Sequence, residues 1–224
     1  MTFLFEEAAG SDELVLKGEA FKYLVKVRRH AAGDRIAFRR PDAAETLFTY
    51  ELVAIDGRTL RLRLLEAREL EISHEHPLHV GWCVVDTKSV EKALPFLNEL
   101  GVAQITFISC ERSQKNFRPD FDRFERILRS SMQQCGRSVM MRLATMGSIA
   151  EFVKAYPDTI AFDFCDRRFD ARQQKPATVL IGPEGGLCDE ERALLDPSRV
   201  YRLATPTVLR SETAVVAVSS AVLL

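Results

Sequence analysis

No stretch of the 224 residues reaches the ~18 consecutive apolar positions of a membrane-spanning helix. The opening residues, MTFLFEEAAGSDE, are acidic and hold too short an apolar run for a signal peptide. Cysteine is sparse. The five residues, Cys83, Cys110, Cys135, Cys165 and Cys188, are odd in number and form no CxxC pair. They read as reduced, mostly buried thiols of a cytoplasmic protein. Neither GxxxxGK[ST] nor GxGxxG occurs, which leaves little support for a nucleotide-binding enzyme that cradles phosphate. Net charge is only −1, so bulk charge does not point to nucleic acid, and the distribution of charge matters more. What the chain does have is 46% hydrophobic content, ample for a packed core, and 28% charge, which argues against disorder.

The most informative stretch runs from Thr178 to Ala214. Thr178-Val179-Leu180-Ile181 is a short apolar, β-branched run that predicts a buried strand. Gly182, Pro183, Gly185 and Gly186 end it. Glycine there leaves little side chain in the way of a ligand and permits positive φ, so that backbone N–H groups can converge on an acceptor. Asp189-Glu190-Glu191 then suits a helix N-terminus. The same grammar recurs. Val200 to Leu203 reads as strand, Ala204 to Arg210 as loop, Ser211 as cap and Glu212 onward as helix. Both loops would sit at carboxyl ends of strands, where open α/β sheets bind ligands.

The rest of the chain divides into two patterns. Residues 1–72 read as short strands with one helix: strands at Asp12–Leu16, Arg35–Phe38, Leu47–Ile55 and Thr59–Leu65, and helix-like spacing over Glu19–Arg28. Asp56-Gly57 is a hairpin signal. This suggests a compact barrel. Glu69–Pro77 reads as a linker. Its His74 and His76, with His79, lack a carboxylate or cysteine cluster to complete a metal site. Residues 73–224 alternate strand and helix: strands at Leu78–Val85, Gln104–Ser109 and Thr159–Phe164, and helices at Ser89–Leu100 (capped by Gly101), Phe121–Gln134 and Ser148–Tyr156. The fold class is therefore α/β, with a small β domain followed by a mostly parallel sheet.

IGPEGG followed by LRSETA resembles the C-terminal signature of the SPOUT, or trefoil-knot, methyltransferases, and most resembles the RsmE family, which methylates N3 of one uridine in 16S ribosomal RNA. Further segments agree. Asp86-Thr87-Lys88 with Asn98-Glu99-Leu100-Gly101-Val102 is similar to the family's first loop and helix end. Glu111-Arg112-Ser113 is similar to its ERS, and Gln133 to Ser138 to its EQSGR, with Gln133 for glutamate and Cys135 for serine. Phe96 stands where the family usually has lysine, and Ala204 where it has glycine. The resemblance implies a PUA-like RNA-binding barrel over residues 1–72, a deep trefoil knot in 73–224, S-adenosyl-L-methionine as cofactor, 16S rRNA of the small ribosomal subunit as partner, and a homodimer.

On that implication, backbone groups of Gly182, Pro183, Glu184, Gly185 and Gly186, and of Leu203 to Leu209, meet the adenine edge and ribose. Leu180, Leu203 and Leu209 supply apolar walls, and Ala204, Arg210, Thr213 and Ala214 complete the donor contacts. Methylation at N3 requires removal of a proton, in-line approach to the methyl, and stabilisation of charge on O2 and O4. Arg210 is assigned the last role. Glu212 either accepts the proton or orients the base, or it is simply a carboxylate favoured in a first helical turn. Glu184 is equally readable as a turn residue. Lys22 to Arg40 is strongly basic and is readable as a solvated face or as a phosphate contact. The assigned RNA contacts are Lys22, Lys26, Arg28 and Arg29 there, with Lys88, Arg112 and Arg137 beyond. Two alternatives stay open: a non-catalytic rRNA-binding module, and a methyltransferase acting on a different RNA base.

Overall fold

The computed structural model describes residues 2–114 and 117–224, which fall into two compact units. The first comprises the chain up to Ser73 together with Met132–Val139; the second comprises His74–Ser131 and Met140–Leu224. Residues 132–139 thus leave the second unit's contacts. Gln133 explains part of this, because its carbonyl and its Oε1 accept from the N–H groups of Phe3 (3.1 Å) and Phe5 (2.9 Å). Ser138 Oγ accepts from the Ile72 N–H at 2.7 Å.

The first unit is built on a five-stranded sheet. Its strands are β1 (Leu4–Phe5), β2 (Glu13–Leu16), β3 (Arg35–Arg40), β4 (Ala43–Asp56) and β5 (Thr59–Glu69), in the order β1-β3-β4-β5-β2. Alternation along β5 is what fixes its faces: Leu60 and Leu62 are buried and Arg61 and Arg63 exposed. Register shifts in the β3–β4 and β4–β5 pairings bend the long β4. Leu14, Phe21, Leu24, Phe38, Tyr50 and Leu52 fill the core. The helical segment between β2 and β3 is not one α-helix. A short α1 (Gly18–Phe21) passes into a π-helical stretch, Lys22–Val27, and Arg29 follows with φ +60°. Such backbone is uncommon and concentrates at functional sites.

The second unit is an all-parallel six-stranded sheet with helices on both faces. Its strands are β6 (His79–Cys83), β7 (Gln104–Ile108), β8 (Arg142–Met146), β9 (Ile160–Phe162), β10 (Thr178–Ile181) and β11 (Val200–Tyr201), in the order β11-β9-β10-β6-β7-β8. Sequence patterning missed β8 and made β11 two residues too long. The helices are α2 (Thr87–Leu100), α3 (Phe121–Cys135), α4 (Ile149–Ala155), α5 (Asp189–Arg192) and α6 (Ser211–Leu223). Asp86 caps α2 by accepting from the Ser89 N–H, and Gly101 ends it at φ +97°. On one face Val80, Trp82, Val179 and Ile181 pack with Val90, Leu94, Leu97, Val215 and Val218. On the other Cys83, Ile108 and Leu180 pack with Phe152, Leu187 and Leu195.

The histidines expected in a linker are structural. His74 Nε2 meets the Leu223 carbonyl at 3.1 Å and His76 Nε2 the Pro176 carbonyl at 3.1 Å. No group of three potential metal ligands occurs among the described residues, and no helix among them is long and apolar enough to cross a membrane.

Candidate functional site

Because every strand of the second unit runs the same way, the segments after β9, β10 and β11 emerge at one edge of the sheet. They enclose a cleft of about 530 Å³. The β10 loop contributes Gly182, Pro183, Glu184 and Gly186. The β11 loop contributes Arg202, Leu203, Thr205 to Leu209, and α6 adds Ser211, Ala214 and Val218. Phe162 and Ile181 form its apolar floor. Gly186 has φ +68°, a conformation that favours glycine.

One hydroxyl ties the two loops together. Ser211 accepts from Trp82 Nε1 at 2.8 Å and donates to the Gly182 carbonyl at 3.1 Å. Ser211 is 3% exposed and Trp82 fully buried, so the bond between them is shielded from water, while the bond to the half-buried Gly182 is partly so. This corrects the reading of Ser211 as a helix cap. Arg210 holds the N-cap position of α6, without a side-chain capping bond, and Ser211 is the first helical residue. The short helix α5 is fixed by Glu191, whose carboxylate accepts from the Cys188 N–H (3.0 Å) and the Glu111 N–H (2.8 Å).

The expected donor-binding residues divide. Gly182, Pro183, Glu184, Gly186, Leu203, Leu209 and Ala214 line the cleft. Leu180 does not. Strand alternation sends its side chain to the opposite face, among Cys83, Phe152 and Leu187, and the next residue, Ile181, faces the cleft instead, as part of its floor. Gly185 turns its carbonyl outward to Arg112 Nη1 at 2.8 Å. Ala204 and Thr213 are exposed and outside the lining, as is Arg210. Glu212 is half-buried, also outside the lining, and its Oε2 is buried without a hydrogen-bond partner.

The expected RNA contacts divide as well. Lys26, Arg28, Arg29 and Lys88 are exposed. Lys22 is exposed and pairs with Glu19 at 2.6 Å. Arg112 is committed to the β10 loop, with the Leu187 carbonyl as a second, longer acceptor at 3.5 Å. Arg137 is buried, at 6% exposure, and burial lowers its pKa. Arg39 of the basic segment is likewise buried, with its guanidinium over the Phe3 ring and donating to the Ala44 carbonyl. In the same unit Tyr23, Arg28, His30, Arg35, Gln133 and Gln134 surround a small depression.

Sequence reasoning missed the cleft's third wall, Asp163 to Asp166 after β9. No glycine punctuates that segment, so nothing in its composition separated it from an ordinary strand end.

The RNA methyltransferase domain family matches residues 73–223. A protein named ribosomal RNA small subunit methyltransferase E, from Helicobacter pylori, is 35% identical over 223 residues, 98% of either chain. A protein of the same name from Aquifex aeolicus is 24% identical over 173 residues, 74% of this chain and 76% of that one. Among solved structures, ribosomal RNA small subunit methyltransferase E from Neisseria gonorrhoeae, bound to S-adenosyl methionine, has a TM-score of 0.72 at 18% identity, covering 99% of this chain and 96% of that one. At that identity the likeness speaks for the fold: an α/β unit with a parallel sheet beside a curled sheet. With two-thirds of its length matched by the family and a relative of the same length at this identity, the chain belongs to the RNA methyltransferase family, among the ribosomal RNA small subunit methyltransferases E.

Proposed function

We propose that this methyltransferase holds S-adenosyl-L-methionine in the cleft between the β10 and β11 loops and methylates N3 of a specific uridine in the 16S rRNA of the small ribosomal subunit. The observation that carries the donor assignment is the cleft itself: two side-chain-poor loops joined through Ser211, with an apolar floor of Phe162 and Ile181 and walls from Leu203 and Leu209. Its volume lies in the range of small-molecule sites. Among the described residues the N–H groups of Val208, Leu209 and Arg210 have no acceptor, which leaves donors for the edge of a purine. When bound, the donor supplies an electrophilic methyl on a sulfonium.

The protein's own residues do the rest. Arg210 is exposed and has no carboxylate partner among the described residues, so its guanidinium is available for the charge that spreads onto O2 and O4 of the uracil. Glu212 keeps one buried carboxylate oxygen unpartnered, which suits a group that takes the N3 proton or orients the base. Residues 1–72, which form most of the first unit, are the PUA-like RNA-binding barrel. Their bent five-stranded sheet supports that, and so do exposed Lys26, Arg28 and Arg29. The second unit, within 73–224, is the knotted SPOUT domain; the insertion of β10 between β9 and β6 supports it. The enzyme works in the cytoplasm as a homodimer, for which the half-buried Val216, Ala217, Ser220 and Ala221 of α6 offer a contact face.

The test is methyl transfer from labelled S-adenosylmethionine onto small ribosomal subunits. N3-methyluridine is the expected product, and Arg210→Ala lowers turnover by roughly 100-fold or more while donor affinity holds. A different methylated nucleoside removes the uridine assignment. Donor binding without transfer to any RNA supports a non-catalytic binding module. A monomer mass by light scattering refutes the dimer.

A further inference from the structure

The third wall of the cleft carries a side chain whose role the two glycine-rich loops do not explain. Two aromatic rings line the cleft, Phe162 and Phe164. Phe162 is floor, 8% exposed and packed edge-on to Phe169, whereas Phe164 is 56% exposed. Exposed apolar side chains occur elsewhere on this surface, Phe96 among them, so what sets Phe164 apart is its position: an open aromatic face turned into the cleft.

The ring is held in place from two sides. Beneath it, a Cβ on Gly186 would stand 3.2 Å from both Phe164 Cδ2 and Cε2, so the bare backbone at 186 lets the ring lie close on the β10 loop, where a side chain would push it back by a few tenths of an ångström. Behind it, Asp163 is anchored twice. Its N–H donates to the Tyr201 carbonyl at 3.0 Å, and its Oδ2 accepts from Arg192 Nε at 2.8 Å, with the Asp163 side chain 3% exposed. The preceding residue is thus pinned, and Phe164 projects from a fixed point at the end of β9. Elsewhere around the cleft the β11 loop provides aliphatic side chains: Leu203, Val208 (72% exposed) and Leu209. An open aromatic face, aliphatic walls and the acceptor-less N–H groups of Val208 to Arg210 make a slot for a flat heteroaromatic ring with acceptor nitrogens on its edge.

We propose that Phe164 is a specificity-determining residue for the methyl donor, the platform on which its purine stacks. This rests on the reading that the cleft holds S-adenosylmethionine. A purine is the occupant that uses both features, since it has a wide π-face for the ring and unprotonated nitrogens for the loop N–H groups. The uracil of the substrate offers a smaller face and no such nitrogen.

The experiment compares wild type, Phe164→Ala and Phe164→Tyr in titration calorimetry with two probes, S-adenosylhomocysteine and 5′-methylthioadenosine, and measures KM for small ribosomal subunits. The second probe keeps the purine and ribose and lacks the amino acid. Phe164→Ala weakens both probes by the same factor, about tenfold or more, as expected for loss of an aromatic–base stack. Phe164→Tyr restores both to within about threefold, because the π-face is kept. KM for the subunits is unchanged. Wild-type affinity for both probes in Phe164→Ala overturns the proposal, and so does an effect confined to KM for the subunits, which would hand the ring to the target base. Failure of the wild-type protein to bind either probe sinks the donor reading itself rather than the role of this residue.

Discussion

Replacing Ser211 by alanine removes one oxygen and leaves one buried and one half-buried group without partners. The Trp82 indole N–H loses its acceptor at 2.8 Å, and the Gly182 carbonyl loses its donor at 3.1 Å. A buried polar group stripped of its partner costs about 1–3 kcal/mol, and here the full loss falls on the fully buried Trp82 while the half-buried Gly182 carbonyl loses less. Water entering the space relieves part of this, so the net expectation is about 2–3 kcal/mol of lost stability. Urea denaturation reads it as a lower midpoint with an unchanged slope. Two further readouts separate this bond from general damage. Trp82 is the single tryptophan of the chain, so its emission reports the broken bond directly. The β10 loop loses its tie to α6, so affinity for S-adenosylhomocysteine falls by about tenfold or more, equivalent to ~1.4 kcal/mol. Ser211→Thr keeps the hydroxyl and retains most of both. A stability loss under about 0.5 kcal/mol, with wild-type affinity and emission, refutes the claim that this hydroxyl joins the loops.

Gly81→Ala in β6 puts a methyl 2.5 Å from Phe152 Cζ, so the fully buried ring must shift; the expected loss is about 1–3 kcal/mol, partly recovered in a double variant with Phe152→Leu, as read by urea denaturation. His79 is buried against Phe152 and Tyr156 and bonded to Thr106 Oγ1 at 2.8 Å, and burial, with Arg142 second, lowers its pKa to about 4. The unfolded chain therefore takes up a proton below about pH 6.5 that the folded chain refuses. Stability is full above that value and declines as pH falls toward 4, by at most about 3 kcal/mol. Comparing denaturation midpoints of wild type and His79→Phe across that window checks it, and the slope due to this group is absent in the variant. Arg112→Ala frees the Gly185 carbonyl; donor-product affinity is expected to fall about 3- to 10-fold with little change in thermal stability, measured by calorimetry and thermal melts.

How much of this was legible beforehand follows from where the information lies. Glycine density and β-branched runs are local, so the β10 loop, the parallel alternation and the Gly101 cap could be read directly. Leu180 was misread because the two faces of a strand differ by one residue of register, which only pairing fixes. Ser211 looked like a cap because its partner, Trp82, lies 129 residues away. Arg39 and Arg137 looked like surface cations because a charge pattern cannot reveal which side chains the fold will bury. The Asp163 to Asp166 wall was invisible for a third reason. It acts through placement beside β10, and nothing in its own composition announces it.

The middle of the six-stranded sheet pairs β10 with β6, residues about a hundred positions apart along the chain. A nascent chain therefore carries β6, β7 and β8 with a bare strand edge until β10 has been made, and ordering that depends on such distant partners is slow. Until β10 takes its place the two loops have no common edge to meet at, so the pocket is the product of a late, long-range pairing rather than of any local segment.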